Sequence, residues 1–219
     1  MPGATPSPRE RAYADVKRAL LRGDFSAGQM LSLRELSERF DCPIAAVRDA
    51  VIRLECDRLL RVHPQRGIQV MEVDLDFVRE AYQLRLMIEL EGARRVIEEP
   101  DLAAIEELER RTAASIDELA NASAADAAAM ERAVQADWAM HQMIVGAMRS
   151  QLISDIYRQN RERQRLIGRA YAFHPAKYAR AALMDHLPIL AALKAREGAR
   201  AAQLLEAHLT AAMRRQIGV

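Results

Sequence analysis

The sequence predicts a mainly α protein in two parts: an N-terminal winged helix-turn-helix over residues 9–72 and an all-α antiparallel helical bundle over residues 73–219. Three observations predict it. Aromatics make up only 5% of the chain, and alanine, leucine, arginine and glutamate dominate, a mix that favours helix over sheet. Before residue 73, three helical periodicities are followed by two short extended runs about a turn. Beyond it, the apolar pattern is helical throughout and contains no convincing strand.

Residues 1–8 hold three prolines and no apolar core, so they read as a disordered tail and not as a signal peptide. Residues 9–22 predict a first helix, with Ala12, Val16, Ala19 and Leu20 on one stripe; Gly23 and then Ala27-Gly28 stop it. Ser32 suits the cap of a short second helix through Phe40, with Leu33, Leu36 and Phe40 inward. After a turn at Asp41-Cys42-Pro43, a third helix runs to about Asp57 and buries Val47, Ala50, Val51 and Leu54. The extended runs Leu59–His63 and Ile68–Glu72 are joined by Pro64-Gln65-Arg66-Gly67, which has turn chemistry.

Six helical blocks fill the second part, near residues 75–98, 101–120, 126–148, 150–171, 177–195 and 199–217. The breaks fall at Pro100, Asn121–Ser123, Arg149-Ser150, His174-Pro175 and Gly198. Antiparallel neighbours joined by short loops make a bundle. There is no internal repeat.

With 50% apolar and 29% charged residues and no run of about 18 apolar residues, the chain reads as a cytoplasmic globular protein with no membrane span. Cys42 and Cys56, without an export signal, read as reduced thiols. Net charge is +1, but residues 1–71 hold 12 Lys+Arg against 9 Asp+Glu, and residues 72–219 hold 20 against 22. The N-terminal part is therefore the expected anion-binding end.

Tyr13, the Leu21-Arg22-Gly23-Asp24 turn, Gly28 before Leu31, Leu33-Arg34-Glu35-Leu36, the run Ala46-Val47-Arg48-Asp49-Ala50-Val51, and the closing Arg66-Gly67 and Val70 together resemble the DNA-binding domain of the GntR family. The resemblance implies that the third helix enters the major groove of operator DNA with the wing alongside. It assigns DNA contacts to Arg34, Arg48, Arg66 and the backbone of Gly67. Arginine suits them because it neutralises phosphate and its fork can read a guanine edge; the alternative for each is a solvated surface charge. The chain departs from the family at the start of the recognition helix. Pro43-Ile44-Ala45 stands where Ser-Arg-Thr is common, which removes two hydroxyls and a cation. Arg58 stands where the family has a glycine.

The second part resembles the FadR-type C-terminal ligand-binding domain, or FCD, in its VanR-like six-helix variety. The resemblance rests on Glu80-Ala81-Tyr82-Gln83-Leu84-Arg85, on Asp137-x-x-x-His141, and on His186 and His208. It implies a divalent transition metal on Asp137, His141, His186 and His208, with zinc first and nickel, cobalt or manganese as alternatives.

Read without the family, Asp137 and His141 lie one turn apart on a helix face shared with Met130, Val134, Ile144 and Met148. His186 shares a stripe with Leu183, Leu190 and Leu193, and His208 with Ala201, Leu205 and Ala212. Three helices thus aim ligand-type side chains inward. Leaving them there uncompensated is costly, and a metal satisfies all four; hydrogen-bonded core histidines are the alternative. Arg85 suits an effector carboxylate, or else an ion pair with Glu89. Pro188 means that a helix either starts near His186 or kinks there. His63 and His174 fall in turn-like segments and read as structural or exposed.

The expected function is a homodimeric regulator whose binding to operator DNA responds to a small organic acid held over the metal. The alternatives are a metal-dependent hydrolase or lyase, and a helical scaffold that does not bind DNA, motivated by Pro43-Ile44-Ala45. Against the enzyme, no general base adjoins the metal motif as the Glu does in His-Glu-x-x-His.

Overall fold

The computed structural model describes residues 6–122, 126–171 and 175–217. The chain forms two compact units. One holds the residues up to Asp74 together with Arg161–Ala170, and the other holds Leu75–Asn160 and the residues from Tyr171 on. The expected second part thus lends a ten-residue stretch to the first unit.

Helix α1 spans Pro8–Arg22. It starts inside the expected tail because Ser7-x-x-Glu10 is a complete capping box. The Ser7 hydroxyl accepts from the Glu10 amide at 3.3 Å, and the Glu10 carboxylate accepts from the Ser7 amide at 2.8 Å. Proline at the first helical position gives up an amide that has no partner there anyway. Residues 1–5 of the tail lie outside the described residues.

The two-residue strand β1 (Met30–Leu31) leads into α2 (Leu33–Phe40), which a second capping box, Ser32 with Glu35, starts. Helix α3 spans Ile44–Cys56 and buries Ala46, Val47, Ala50, Val51 and Leu54. Strands β2 (Leu60–His63) and β3 (Gly67–Val70) form the hairpin, and the antiparallel sheet runs β1-β3-β2. β1 escapes sequence reasoning because two residues cannot display an alternation. Its register, Leu31 opposite Ile68, puts two buried residues side by side. Arg58 takes the left-handed conformation (φ 55°), so it fills the position where the resemblance expects glycine.

In the second unit, α4 (Leu75–Glu98), α5 (Leu102–Asn121), α6 (Ala127–Gly146), the first half of α7 (Gln151–Tyr171), α8 (Pro175–Lys194) and α9 (Gly198–Ile217) make the bundle. Asp101 and Asp126 cap α5 and α6. Ile105, Met140, Ile144, Leu190, Leu193 and Leu205 are fully buried in one cluster that joins α5, α6, α8 and α9. α4 enters it through a close approach at Gly92, where an added Cβ would sit 2.5 Å from the Ile144 carbonyl oxygen.

Two details differ from the sequence reading. The inward stripe of α6 runs through Ala129, Ala133, Ala136, Met140 and Ile144, while Val134 is exposed. The apolar face is therefore rotated, which leaves Asp137 at its edge. Pro188 lies inside α8, thirteen residues past its start, so that helix does not begin near His186. Among the described residues, no helix is long and apolar enough to cross a membrane.

Candidate metal centre and nucleic-acid face

His141 on α6, His186 on α8 and His208 on α9 converge in the core of the second unit. All three are buried, and one ring nitrogen from each lies within 4.8 Å of the others. The ring centroids are 4.9 Å apart for His141 and His186, 5.4 Å for His141 and His208, and 4.6 Å for His186 and His208. Asp137 sits at the rim: its side chain is 27% exposed, and its Oδ1 is 3.5 Å from His186 Nε2. The structure thus gathers the three histidines tightly and sets the carboxylate beside them.

The second layer of this site is largely hidden from sequence reasoning. Glu89 on α4 is wholly buried. Its Oε2 meets His141 Nδ1 at 2.7 Å, and its Oε1 accepts from Arg85 Nε and from the Tyr157 hydroxyl, each at 2.7 Å. Asp185 Oδ2 lies 3.3 Å from His208 Nδ1 and 3.4 Å from Arg215 Nη2. Glu89 could have been found from its i,i+4 spacing to Arg85, and Asp185 from its place beside His186; nothing in the pattern marks Tyr157 or Arg215.

Electrostatics follow from burial. Desolvation pushes the Glu89 carboxyl up, but Arg85 and His141 overcome it and hold the group well below the usual carboxylate range. Burial pushes His186 well below its ordinary value, and the neighbouring His141 and His208 add to that. Burial lowers His208 too, against the pull of Asp185. Imidazoles kept neutral are the form that ligates a metal.

Orphaned atoms test the fit of a metal. Among the described residues, His141 Nε2 and His186 Nδ1 are buried without a hydrogen-bond partner. His186 Nε2 and His208 Nε2 face each other at 3.2 Å. Zinc-bound nitrogens at about 2.1 Å in a tetrahedral set stand roughly 3.4 Å apart. The 3.2 Å and 3.5 Å separations match that spacing, and the donor set of three nitrogens and one oxygen suits zinc, nickel, cobalt or manganese. The residues fit the ion.

Arg85 is buried and ion-paired to Glu89, which is the alternative reading of this residue. Its guanidinium lies 5.3 Å from the Trp138 ring centre and 5.6 Å from that of Tyr82. One side of its fork is engaged, yet Nη2 is buried without a partner.

On the first unit, Arg48 is exposed on the outer face of α3, together with Ile44 (47% exposed), Ala45 and Ile52 (53%). Arg34 is exposed on α2 and pairs with Glu38 at 2.8 Å. Arg66 is exposed in the hairpin turn. Gly67 takes φ 113°, and a Cβ there would stand 2.8 Å from the Leu31 carbonyl oxygen, so the wing needs glycine on steric grounds alone. Tyr13 ties α1 to the end of α3: its hydroxyl bonds Asp57 Oδ2 at 2.5 Å, and Arg53 stacks 3.9 Å from its ring centre. Cys42 and Cys56 are free thiols. His63 bonds Gln69 at 2.7 Å, and His174 lies outside the described residues.

The model for bacterial regulatory proteins of the gntR family matches residues 8–70, and the FCD domain model matches residues 80–211. The HTH-type transcriptional repressor RspR of Escherichia coli K12 is 33% identical over 86 residues, which is 39% of this chain and 38% of RspR. The uncharacterized HTH-type transcriptional regulator YdhC of Bacillus subtilis is 26% identical over 99 residues, 45% of this chain and 44% of YdhC. The matched stretch thus spans about two fifths of each of these relatives. E. coli McbR/YncC shares the fold at a TM-score of 0.71 and 22% identity, covering 98% of this chain and 99% of that one. A GntR regulator from Rhodococcus sp. RHA1 does so at 0.73 and 24%, with the same coverage. The metal-free FCD domain of TM0439 aligns at 0.54 and 16%, covering 67% of this chain and 96% of that domain.

Proposed function

The chain belongs to the gntR family of bacterial regulatory proteins and carries an FCD domain, and from that premise we propose a homodimeric, cytoplasmic transcriptional regulator that binds operator DNA under the control of a small organic acid. Arg34, Arg48, Arg66 and the backbone of Gly67 make the DNA contacts, from a DNA-binding domain assigned to residues 9–72. The effector and metal site belongs to residues 73–219.

The observation that carries the control site is the meeting of three buried histidines, two of which, His141 and His186, keep a buried ring nitrogen without a partner among the described residues. Asp137, His141, His186 and His208 would hold a divalent ion there, zinc first and nickel, cobalt or manganese as alternatives. Bound, the ion supplies a centre of net positive charge in an apolar enclosure, which favours an anion that can replace water. Arg85 offers Nη2 to the same anion, while its Nε stays on Glu89. That leaves Arg85 a single further contact for an effector carboxylate.

The enzyme alternative has less support. The most deeply buried carboxylate at the cluster, Glu89, is held by three partners and is not poised to take a proton from a substrate. The scaffold alternative is disfavoured by the match of residues 8–70 to the gntR-family model.

Elemental analysis tests the metal: wild type carries about one equivalent, and the His186→Ala/His208→Ala double variant carries little. Equal content would sink the site. A thermal-shift screen of organic acids against wild type, Arg85→Ala and metal-stripped protein tests the effector. An acid that stabilises all three alike would remove both the metal and Arg85 from its binding.

A further inference from the structure

The ligand histidines are not equivalent. His141 and His208 each turn Nδ1 to a carboxylate that is itself held by an arginine: Glu89 with Arg85, and Asp185 with Arg215. Among the described residues His186 has no such partner, and its Nδ1 is buried and unpaired. We propose that Glu89 and Asp185 are positioning residues that fix His141 and His208 as Nδ1–H tautomers, so that His186 alone must change tautomer when the site takes a metal.

Hydrogen-bond capacity carries the argument. An ionised carboxylate only accepts. Glu89 Oε1 already accepts from Arg85 and Tyr157, and Oε2 faces His141 Nδ1 at 2.7 Å, so the proton of that bond belongs to the imidazole. A neutral imidazole protonated at Nδ1 carries its lone pair on Nε2. That atom of His141 is the one left buried without a partner. The 2.7 Å bond crosses from α4 to α6, beside the close approach at Gly92, so its geometry is set by the packing of two helices.

Asp185 repeats the arrangement at a more open place, with longer contacts and a side chain 41% exposed. It makes His208 Nε2 an acceptor. His186 Nε2, 3.2 Å away, must then be the donor, and Asp137 Oδ1 at 3.5 Å lies on the same nitrogen. The His186 proton therefore occupies the space between two ligand atoms. Loading the site requires Nε2 to give up that proton and Nδ1 to take one up; the ring stays neutral, and the freed Nε2 pair becomes a ligand. Carboxylate partners of this kind typically change metal affinity 10- to 100-fold.

The proposal rests on the metal reading, and its test separates the two. Long-range proton–nitrogen correlation spectra of the full-length, 15N-labelled, metal-free protein should show His141 and His208 protonated at Nδ1 and His186 at Nε2. Glu89→Gln should mix the tautomers of His141 alone, and the half-exposed Asp185→Asn those of His208 alone. Cobalt(II) titration, read by its visible absorption, should show each variant binding about 10- to 100-fold more weakly than wild type. Nε2–H on His141 in the wild type, or unchanged cobalt affinity in both variants, overturns the positioning role. If the tautomers are as stated and wild type takes no cobalt, the metal reading falls and the positioning role stands. If wild type binds cobalt with the opposite tautomers, the reverse holds.

Discussion

Gly92→Ala is expected to destabilise the second unit, against the ordinary gain from replacing a helical glycine. Alanine is favoured over glycine in a helix interior by about 1 kcal/mol. Here the new methyl would sit 2.5 Å from the Ile144 carbonyl oxygen and 2.9 Å from its Cγ2, well inside ordinary contact. The helices must separate by most of an ångström, and overpacking of that order costs about 1–3 kcal/mol. The net expectation is a loss of up to about 2 kcal/mol, or roughly 2–4 °C per kcal/mol for a chain of this size. Gly146 is the internal control: a Cβ there meets nothing within 4 Å, so Gly146→Ala should gain about 0.5 kcal/mol. Urea unfolding of both variants gives the two signs. Ile144 follows His141 by three residues on α6, so Gly92→Ala should also lengthen the Glu89 to His141 bond and weaken cobalt binding. A Gly92→Ala protein as stable as Gly146→Ala would refute the close packing of α4 on α6.

Arg48→Ala should weaken operator binding by about 1–3 kcal/mol at fixed salt and relax one base position; an unchanged titration would take Arg48 out of the interface. Ile44→Arg restores a cation at the head of α3 and should steepen the salt dependence of DNA binding by about one unit of slope, an effect absent if that end of the helix stands off the phosphates. Ser32→Ala removes one half of a complete capping box and should cost about 1 kcal/mol in the unfolding of the first unit, with no change in metal content. Sedimentation at micromolar concentration should find a dimer with and without DNA, because helix-turn-helix proteins read paired half-sites; a monomer in both would count against the assembly.

Where local chemistry decides an element, the sequence is readable. Ser32 marks the start of α2, and the stripe Ala12, Val16, Ala19 and Leu20 is the buried face of α1. The capping box at Ser7 is equally local, but the three prolines around it mask the signal. β1 cannot be seen, because its two residues are strand only through pairing with β3. The face of α6 is misjudged for a related reason. Ala133 and Ala136 are buried where Val134 is exposed, since a small residue is what close packing of neighbouring helices selects. Hydrophobicity alone ranks valine above alanine and so turns the helix the wrong way.

The site is legible to the same depth and no further. Spacing of four residues puts Asp137 and His141 on one face, but it cannot say which of the two lies nearer the bundle axis, and the rotation of α6 puts Asp137 at the rim. The carboxylates behind the histidines arrive from other helices, Glu89 fifty-two residues before His141 and Asp185 twenty-three before His208, so no periodicity relates them. Arg85 is the side chain most affected by that gap. In sequence, an effector clamp and an ion pair with Glu89 are alternatives. In the fold, Nε makes the ion pair and Nη2 has no partner among the described residues, so the proposed effector contact falls to Nη2. An anion drawn to Nη2 then acts on the arginine that holds Glu89, and Glu89 holds His141. Effector and metal would be coupled through that chain of contacts, and by linkage each should tighten or loosen the other by the same factor.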